Sequence, residues 1–366
     1  MDTAPFLAAA CELLAVPSTA DRPGELRKAL DFVVDFVGPG FVVERFESGG
    51  KPSALLYRGA ERPRFRILMN GHLDVVPASP HQFSPYREAA RLYARGAQDM
   101  KVSALVQAQV FRELAGQVPY PLGLQLVTDE EVGGRDGTLH QLEQGVTGEF
   151  VVIGESSGFD VVTDSKGMIM ATLRAVGRGA HSAYPWLGDN ALVKLHRSLA
   201  RVLAAYPVAT EEAWQTTVNL ARIHTPNQAR NQIPDLAEAW LDIRFPPEDA
   251  DLNGKTAQQV TEYLAKFCEA GVTPKVEQAD PPHHADPDRP EVSALCRAIR
   301  NQGYPADLLR KHGATDGRFY YQRGIDAVIV GVRGGGMHGP EEYVDTSTIA
   351  PYYRALTEFL TSPWAD

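Results

Sequence analysis

The chain has 366 residues, more than one ordinary globular core holds, so one large and one smaller domain are expected. Its formal net charge of −10 comes with no offsetting basic stripe, which argues against a nucleic-acid or anionic-membrane partner. The three cysteines show no CxxC spacing, and neither a signal peptide nor a stretch of transmembrane length is evident, so we expect reduced thiols and a cytoplasmic protein.

The first part of the chain alternates short β-branched runs with helical periods. The pattern predicts strands over Phe65 to Asn70, Leu122 to Thr128 and Phe150 to Gly154, with a helix over Asp99 to Ala115. Such alternation is typical of α/β domains. We therefore expect a mixed, largely parallel sheet that is sandwiched by helices.

A different pattern begins near residue 165. Strands are predicted over Gly167 to Val176, Thr216 to His224 and Ala237 to Phe245, and helices over Asn190 to Tyr206 and Thr256 to Ala270. Two helices with about four strands indicate an α+β insertion.

The first pattern resumes after a stretch rich in Pro, Asp and His. This stretch, Ala279 to Pro290, is predicted to be a linker. It precedes helices over Glu291 to Asn301 and Thr346 to Thr361, which flank a strand over Ala327 to Val332. We therefore expect a discontinuous domain of residues 1–164 and 281–366, interrupted by an inserted domain of residues 165–280.

Polar side chains follow the predicted strands where each strand ends. His72 and Asp74 follow the strand from Phe65, and their two-residue spacing places them on one face, where a carboxylate can orient an imidazole. Asp99 precedes a helical period. Considered singly, Asp74 also fits an ordinary turn and Asp99 a helix N-cap.

The remaining strand ends carry further acids and a histidine. Asp129, Glu130 and Glu131 are consecutive acids that repel one another unless cations or protons compensate, although a solvated loop is the alternative. Glu155 and His338 follow two other apolar runs. Because ligands bind outside the carboxyl ends of strands in open α/β sheets, we expect these groups to converge on one crevice.

The side chains that are expected to converge offer oxygen and nitrogen atoms to a metal, and none of them is a cysteine. This set fits a borderline-hard divalent metal, and a carboxylate between two imidazole–carboxylate pairs fits a two-metal centre. Zinc is the favoured metal, with cobalt or manganese as substitutes. The predicted ligands are His72, Asp99, Glu131, Glu155 and His338.

Six motifs together resemble one known family. They occur in its order and are GHLDVV, ARGAQDMK, TDEEVGG, GESSG, GAHSAYP and MHGPEEY. The chain thus resembles the acetylornithine deacetylase, succinyl-diaminopimelate desuccinylase and aminoacylase family, whose superfamily includes glutamate carboxypeptidases and several dipeptidases. The resemblance implies a zinc-peptidase-like catalytic domain with an inserted lid and dimerisation domain of two helices on a four-stranded sheet.

The resemblance also implies a role for each donor. Asp99 would bridge two zinc ions, His72 with Glu155 would complete one site, and Glu131 with His338 would complete the other. Glu130 would be the general base. The spacing of Asp74 from His72 separately makes Asp74 a catalytic candidate, as a residue that orients the imidazole or as its proton partner. The family's cis peptide bond would fall at Asp99–Met100.

The inserted domain is expected to complete the site. By resemblance, His181 reaches the active site of a neighbouring subunit and stabilises the developing oxyanion, which predicts a homodimer. Asn231 and Arg244 resemble a segment that holds a substrate carboxylate. Lys166 at the hinge and Arg318 in a loop over the substrate are further substrate-binding candidates.

These features favour a metal-dependent hydrolase that cleaves the amide bond of an N-acyl amino acid with a free carboxylate. A metallo-carboxypeptidase or dipeptidase is the first alternative, because the bond that it breaks is also an amide. A non-catalytic amino-acid or metal-binding protein is the second alternative, which the presence of Glu130 disfavours.

Overall fold

The computed structural model describes residues 1–362 of the chain. These residues form two compact units. The first unit comprises Met1–Thr163, His284–Arg310 and the residues from Thr315 onward, and the second comprises Asp164–His283 with Lys311–Ala314. The role of the second unit as lid and dimerisation domain stays a prediction.

Several helices begin at residues whose side chains cap the first turn. Asp2 and Asn190 accept backbone N–H bonds at the starts of two helices, and Thr256 forms a capping box with Gln259 at a third. In chain order the α-helices are α1 (Thr3–Leu14), α2 (Pro23–Val37), α3 (Lys101–Leu114), α4 (His140–Glu143), α5 (Ala191–Ala205), α6 (Ala257–Ala265), α7 (Pro290–Arg300), α8 (Gly317–Tyr321) and α9 (Ile349–Thr361).

The strands form three sheets in the described part of the chain. In chain order they are β1 (Val42–Ser48), β2 (Lys51–Tyr57), β3 (Phe65–His72), β4 (Tyr86–Glu88), β5 (Arg91–Tyr93), β6 (Leu122–Val127), β7 (Gly148–Ile153), β8 (Val161–Ser165), β9 (Gly167–Val176), β10 (Thr217–His224), β11 (Leu236–Phe245), β12 (Val272–Asp280), β13 (His283–His284), β14 (Leu308–Lys311), β15 (Asp326–Ile329), β16 (Gly334–Gly335) and β17 (Tyr343–Asp345).

The largest sheet has the order β1-β2-β6-β3-β7-β15-β8-β13, with β14 paired to β8. Its central strands β6, β3, β7 and β15 are mutually parallel. Every residue of β6 is buried, and β3 is buried except at Arg66, as strands covered on both faces require. The predicted mixed, largely parallel α/β sheet is thus confirmed.

The second unit holds a four-stranded antiparallel sheet with the order β10-β11-β9-β12. Burial alternates along β11, so one face of this sheet is apolar. Leu195 and Leu199 of α5, with Val260 and Leu264 of α6, pack in one core with that face. This confirms the predicted arrangement of two helices on four strands.

One prediction about chain organisation holds in part, because the boundary between the two units falls inside the predicted linker. Part of the expected linker from Ala279 to Pro290 is extended structure, because β12 runs through Asp280 and β13 covers His283–His284. Ladder bonds from β12 to β9 take up this backbone. Within residues 1–362, no helix combines the length and apolar character needed to cross a membrane.

Candidate metal centre

Candidate metal ligands lie at or just after the ends of three parallel strands. His72 is the last residue of β3 and lies opposite Val127, the last residue of β6, while Asn70 lies opposite Ile153 of β7. The segments that follow β6 and β7 carry Glu130, Glu131 and Glu155. The carboxyl ends of neighbouring parallel strands therefore bring histidine and carboxylate groups to one edge of the sheet.

The Asp99 carboxylate lies between two histidines. Its Oδ1 is 2.9 Å from Nε2 of His72, and its Oδ2 is 3.3 Å from Nε2 of His338. The same His338 nitrogen is 3.2 Å from Oε2 of Glu131. Ligand atoms of His72, Asp99 and Glu131 lie within 4.8 Å of one another. Imidazole and carboxylate donors at this spacing fit divalent metal ions, with Asp99 facing both histidines.

Asp74 orients both a histidine and the loop that carries two acids. The Nδ1 atom of His72 is 3.1 Å from the Asp74 carbonyl oxygen and 3.5 Å from its Oδ1. A proton on Nδ1 would leave the Nε2 lone pair free for a metal ion. The Asp74 carboxylate also accepts the backbone N–H groups of Glu130 at 3.2 Å and Glu131 at 3.0 Å.

A buried ion pair holds the backbone at Asp99. Glu342 accepts the N–H groups of Gln98 at 2.9 Å and Asp99 at 3.1 Å, and its other carboxylate oxygen pairs with Arg95. The Asp99–Met100 peptide bond is cis, as the resemblance implied. Sequence reasoning missed Arg95 and Glu342 as supports, although both lie inside motifs that it had singled out.

Negative charge is concentrated at this edge of the sheet. Burial and then the charge of Glu155 raise the pKa of Glu130 well above its usual range, and burial raises the pKa of Glu131 to about 7. Burial lowers the pKa of His72, but hydrogen bonds to Asp74 and Asp99 outweigh it and raise the value. Divalent cations would neutralise this excess of carboxylates, so the charge distribution also fits a metal centre.

Glu155 is buried at the end of β7 and is close enough to Glu130 to influence its pKa. His338 is half-exposed and adopts a left-handed backbone conformation with φ of 59°. The predicted ligands thus lie on segments that meet at one edge of the sheet. Their roles as metal ligands stay predictions.

Arg318, a predicted substrate-binding residue, is buried against the loop that carries Gly133. The residue is 4% exposed, and Nη2 donates to the carbonyl oxygen of Gly133 at 2.7 Å. Nη1 lies 3.8 Å from Oδ1 of Asp316. A backbone carbonyl and a buried carboxylate thus hold the guanidinium, and the substrate-binding role of Arg318 stays a prediction.

The second unit carries the other predicted residues. His181 is exposed, and its Nδ1 accepts the N–H of Ala183 at 3.1 Å. This bond places the proton of a neutral imidazole on Nε2, where it is available for donation. Asn231 is exposed in the adjacent loop, and its carbonyl oxygen accepts the N–H of Ser182 at 2.9 Å.

Lys166 and Arg244 line one cavity of about 250 Å³ within the second unit, and Glu211, Glu212 and His312 line the same cavity. Burial lowers the pKa of Lys166. The Nε and Nη2 atoms of Arg244 donate to Asp242 at 2.7 and 3.1 Å, so its Nη1 hydrogens remain for a ligand. The structure therefore brings these two candidates together.

Comparisons with known proteins agree with the motifs. The sequence model of peptidase family M20/M25/M40 matches residues 68–362. A succinyl-diaminopimelate desuccinylase from Azoarcus sp. (strain BH72) is 29% identical over 392 residues, covering 98% of each chain.

Solved structures share the fold. A tripeptidase from Staphylococcus aureus superimposes with a TM-score of 0.78 at 16% identity, covering 98% of each chain. A metallo-carboxypeptidase of the M20 family from Sulfolobus solfataricus has a TM-score of 0.74 at 17% identity, covering 98% of this chain and 99% of its own. The resemblance inferred from the six motifs is thereby confirmed. The chain belongs to peptidase family M20/M25/M40, and it is an enzyme of the metallopeptidase and amidohydrolase class.

Proposed function

We propose that the enzyme hydrolyses the amide bond of N-acyl amino acids with a free carboxylate, using two zinc ions. The observation that carries this proposal is the Asp99 carboxylate, whose two oxygens face His72 and His338 separately. His72 with Glu155 would hold one ion and Glu131 with His338 the other. Bound metal ions would supply Lewis acidity and lower the pKa of a bound water.

Glu130 is the proposed general base. It accepts a proton from the attacking water as the new C–O bond forms, and it returns that proton to the departing amine nitrogen as the C–N bond breaks. The backbone N–H of Glu130 donates to Oδ1 of Asp74 at 3.2 Å, and this bond fixes the start of the loop that carries Glu130. Glu130 and Glu131 are therefore neighbours with different tasks.

The second unit would bind the substrate carboxylate and the developing oxyanion. Lys166 and Arg244 supply positive charge in a cavity that Glu211 and Glu212 also line, and Asn231 offers an exposed amide in a loop adjacent to His181. The Nε2–H group of His181 is the proposed oxyanion donor. Strand β10 ends the four-stranded sheet, so it offers an edge through which a homodimer would form.

A cavity beside Glu131 would bind the acyl group of the N-acyl amino acid. It measures about 260 Å³ within the first unit, and Glu131 forms part of its wall. Its apolar lining includes Val75, Val76, Phe83 and Val132. An apolar acyl group would fit this lining better than a succinyl carboxylate, since Asp21 and Arg22 at the same cavity balance each other in charge.

A carboxypeptidase or dipeptidase activity is the second candidate. It is favoured by the structural similarity to the tripeptidase and the metallo-carboxypeptidase, and by the fact that the same bond type is broken. A non-catalytic binding protein would not require Glu130 beside the metal ligands. A cytoplasmic location and the identity of the metal stay predictions.

Replacing Glu130 tests the proposed mechanism. For Glu130→Gln we expect kcat to fall by about 10²- to 10⁴-fold, because the amide cannot accept the proton, while metal content stays at the wild-type level. Activity assays and elemental analysis of the same samples measure both. Glu143→Gln, an exposed substitution in α4, is the matched control and should retain wild-type values. Undiminished turnover by Glu130→Gln would refute the general-base role.

A substrate panel tests the proposed specificity. It contains acetyl, succinyl and aromatic acyl derivatives of one amino acid, with dipeptides and tripeptides alongside, assayed with zinc-, cobalt- or manganese-loaded enzyme. We expect aromatic acyl derivatives to exceed the succinyl derivative in kcat/KM by at least about tenfold, because the cavity at Glu131 buries apolar surface. Cleavage of peptides but of no acyl amino acid would instead establish the peptidase alternative.

His181 is tested by substitution and by mixing subunits. We expect His181→Ala to lower kcat by about 10²- to 10³-fold with metal content unchanged, because one oxyanion donor is lost. His196→Ala on the exposed side of α5 is the control. Co-expressing His181→Ala with Glu130→Gln should restore part of the activity if His181 acts in the partner's site. Wild-type kcat in His181→Ala would contradict the oxyanion assignment, and no restoration would contradict action between subunits.

A further inference from the structure

The segment that carries the general base is held at both of its ends. We call residues 129–134 the acid loop, since they contain Glu130 and Glu131. At its start, Asp74 accepts the N–H groups of these two residues. At its end, Arg318 donates to the carbonyl oxygen of Gly133 at 2.7 Å. A residue 185 positions away in the sequence thus fixes the exit of the acid loop.

Gly133 transmits this contact to the general base. Its N–H group donates to the carbonyl oxygen of Glu130 at 2.9 Å and closes the short 3₁₀ turn from Glu130 to Val132. The carbonyl of Gly133 and the backbone of Glu130 are therefore coupled through one peptide unit and one hydrogen bond. We therefore expect a shift at Gly133 to displace the backbone of Glu130.

The Asp316 carboxylate packs against the acid loop at Gly134. It is 1% exposed, and a Cβ added to Gly134 would lie 2.0 Å from its Oδ1. Gly134 has a φ of +65°, so a side chain at this position would be both strained and obstructed. The carboxylate of Asp316 and the backbone of Gly134 are thus in direct contact, and the charge of Arg318 lies beside them.

The same carboxylate is connected to the strand that carries His72. Thr138 donates to Oδ2 of Asp316 at 2.6 Å, and Nδ2 of Asn70 donates to Oγ1 of Thr138 at 3.3 Å. Asn70 lies in β3 two residues before His72. Two buried hydrogen bonds therefore connect the His72 strand to Asp316, and the 3.8 Å ion pair of Asp316 with Arg318 continues this connection to the acid loop.

We propose that Arg318 is a positioning residue, which holds Glu130 and Glu131 in place through the Gly133 carbonyl and does not bind the substrate. This inference rests on the proposed function, because it assigns Arg318 a role relative to the proposed base and metal ligand. Its buried guanidinium lies 3.8 Å from the Asp316 carboxylate and donates to the Gly133 carbonyl, and its Cζ lies 4.2 Å from the centroid of the Phe319 ring. A misplacement of about 1 Å in a catalytic group costs on the order of 10²-fold in rate.

The test compares Arg318→Met and Arg318→Lys with Arg323→Met, an exposed arginine that follows the same helix. Each protein is assayed at saturating zinc on a substrate with a free carboxylate and on its carboxamide analogue. For Arg318→Met we expect kcat to fall about 10²-fold with KM within threefold on both substrates, and zinc affinity by chelator competition to fall by about 10- to 100-fold. Arg318→Lys should recover part of kcat, and Arg323→Met should match wild type.

Two results would overturn the inference. A KM increase of tenfold or more that appears only with the free carboxylate would show that Arg318 binds substrate. Unchanged kcat and zinc affinity per folded molecule would show that its role is purely structural.

If Arg318→Met does not fold, Arg318→Lys decides between the same outcomes. Failure of the proposed function would appear in the wild type and in Arg323→Met as absent amide hydrolysis, and zinc affinity then still tests the positioning role.

Discussion

The centre depends on the concentration of carboxylates at the carboxyl edge of a parallel sheet. Asp99, Glu130, Glu131 and Glu155 meet there, and burial raises the pKa of Glu130 and Glu131. Buried like charges persist only where cations, protons or hydrogen bonds compensate. His72 and His338 face the Asp99 and Glu131 carboxylates, and the remaining charge is what two divalent ions would balance.

Supporting residues outside the donor set account for much of the geometry. Asp74 serves His72 and the acid loop together, and Glu342 with Arg95 holds the backbone of Asp99. Each of these three supports is buried and has more than one polar partner. Because the supports are shared between donors, displacing one of them would disturb several ligands at once.

Sequence reasoning succeeded where local pattern determines structure. Apolar runs located β3, β6 and β7, and the parallel-sheet rule then predicted that His72 and Glu131 would converge. It did not anticipate contacts between distant segments, such as Glu342 with Asp99 or Arg318 with Gly133, because nothing in a linear pattern encodes them. The extended structure within the expected linker was missed for the same reason, since the pairing of β12 with β9 is a tertiary contact.

The central claim is that Asp99 serves two metal ions while His72 and His338 serve one each. The most direct measurement is the zinc-to-protein ratio of purified, zinc-dialysed variants by elemental analysis. The account predicts two ions per chain in the wild type, about one in His338→Ala, and close to none in Asp99→Ala, with all three proteins folded. An Asp99→Ala protein that retained both ions, or a wild type that bound only one, would contradict it.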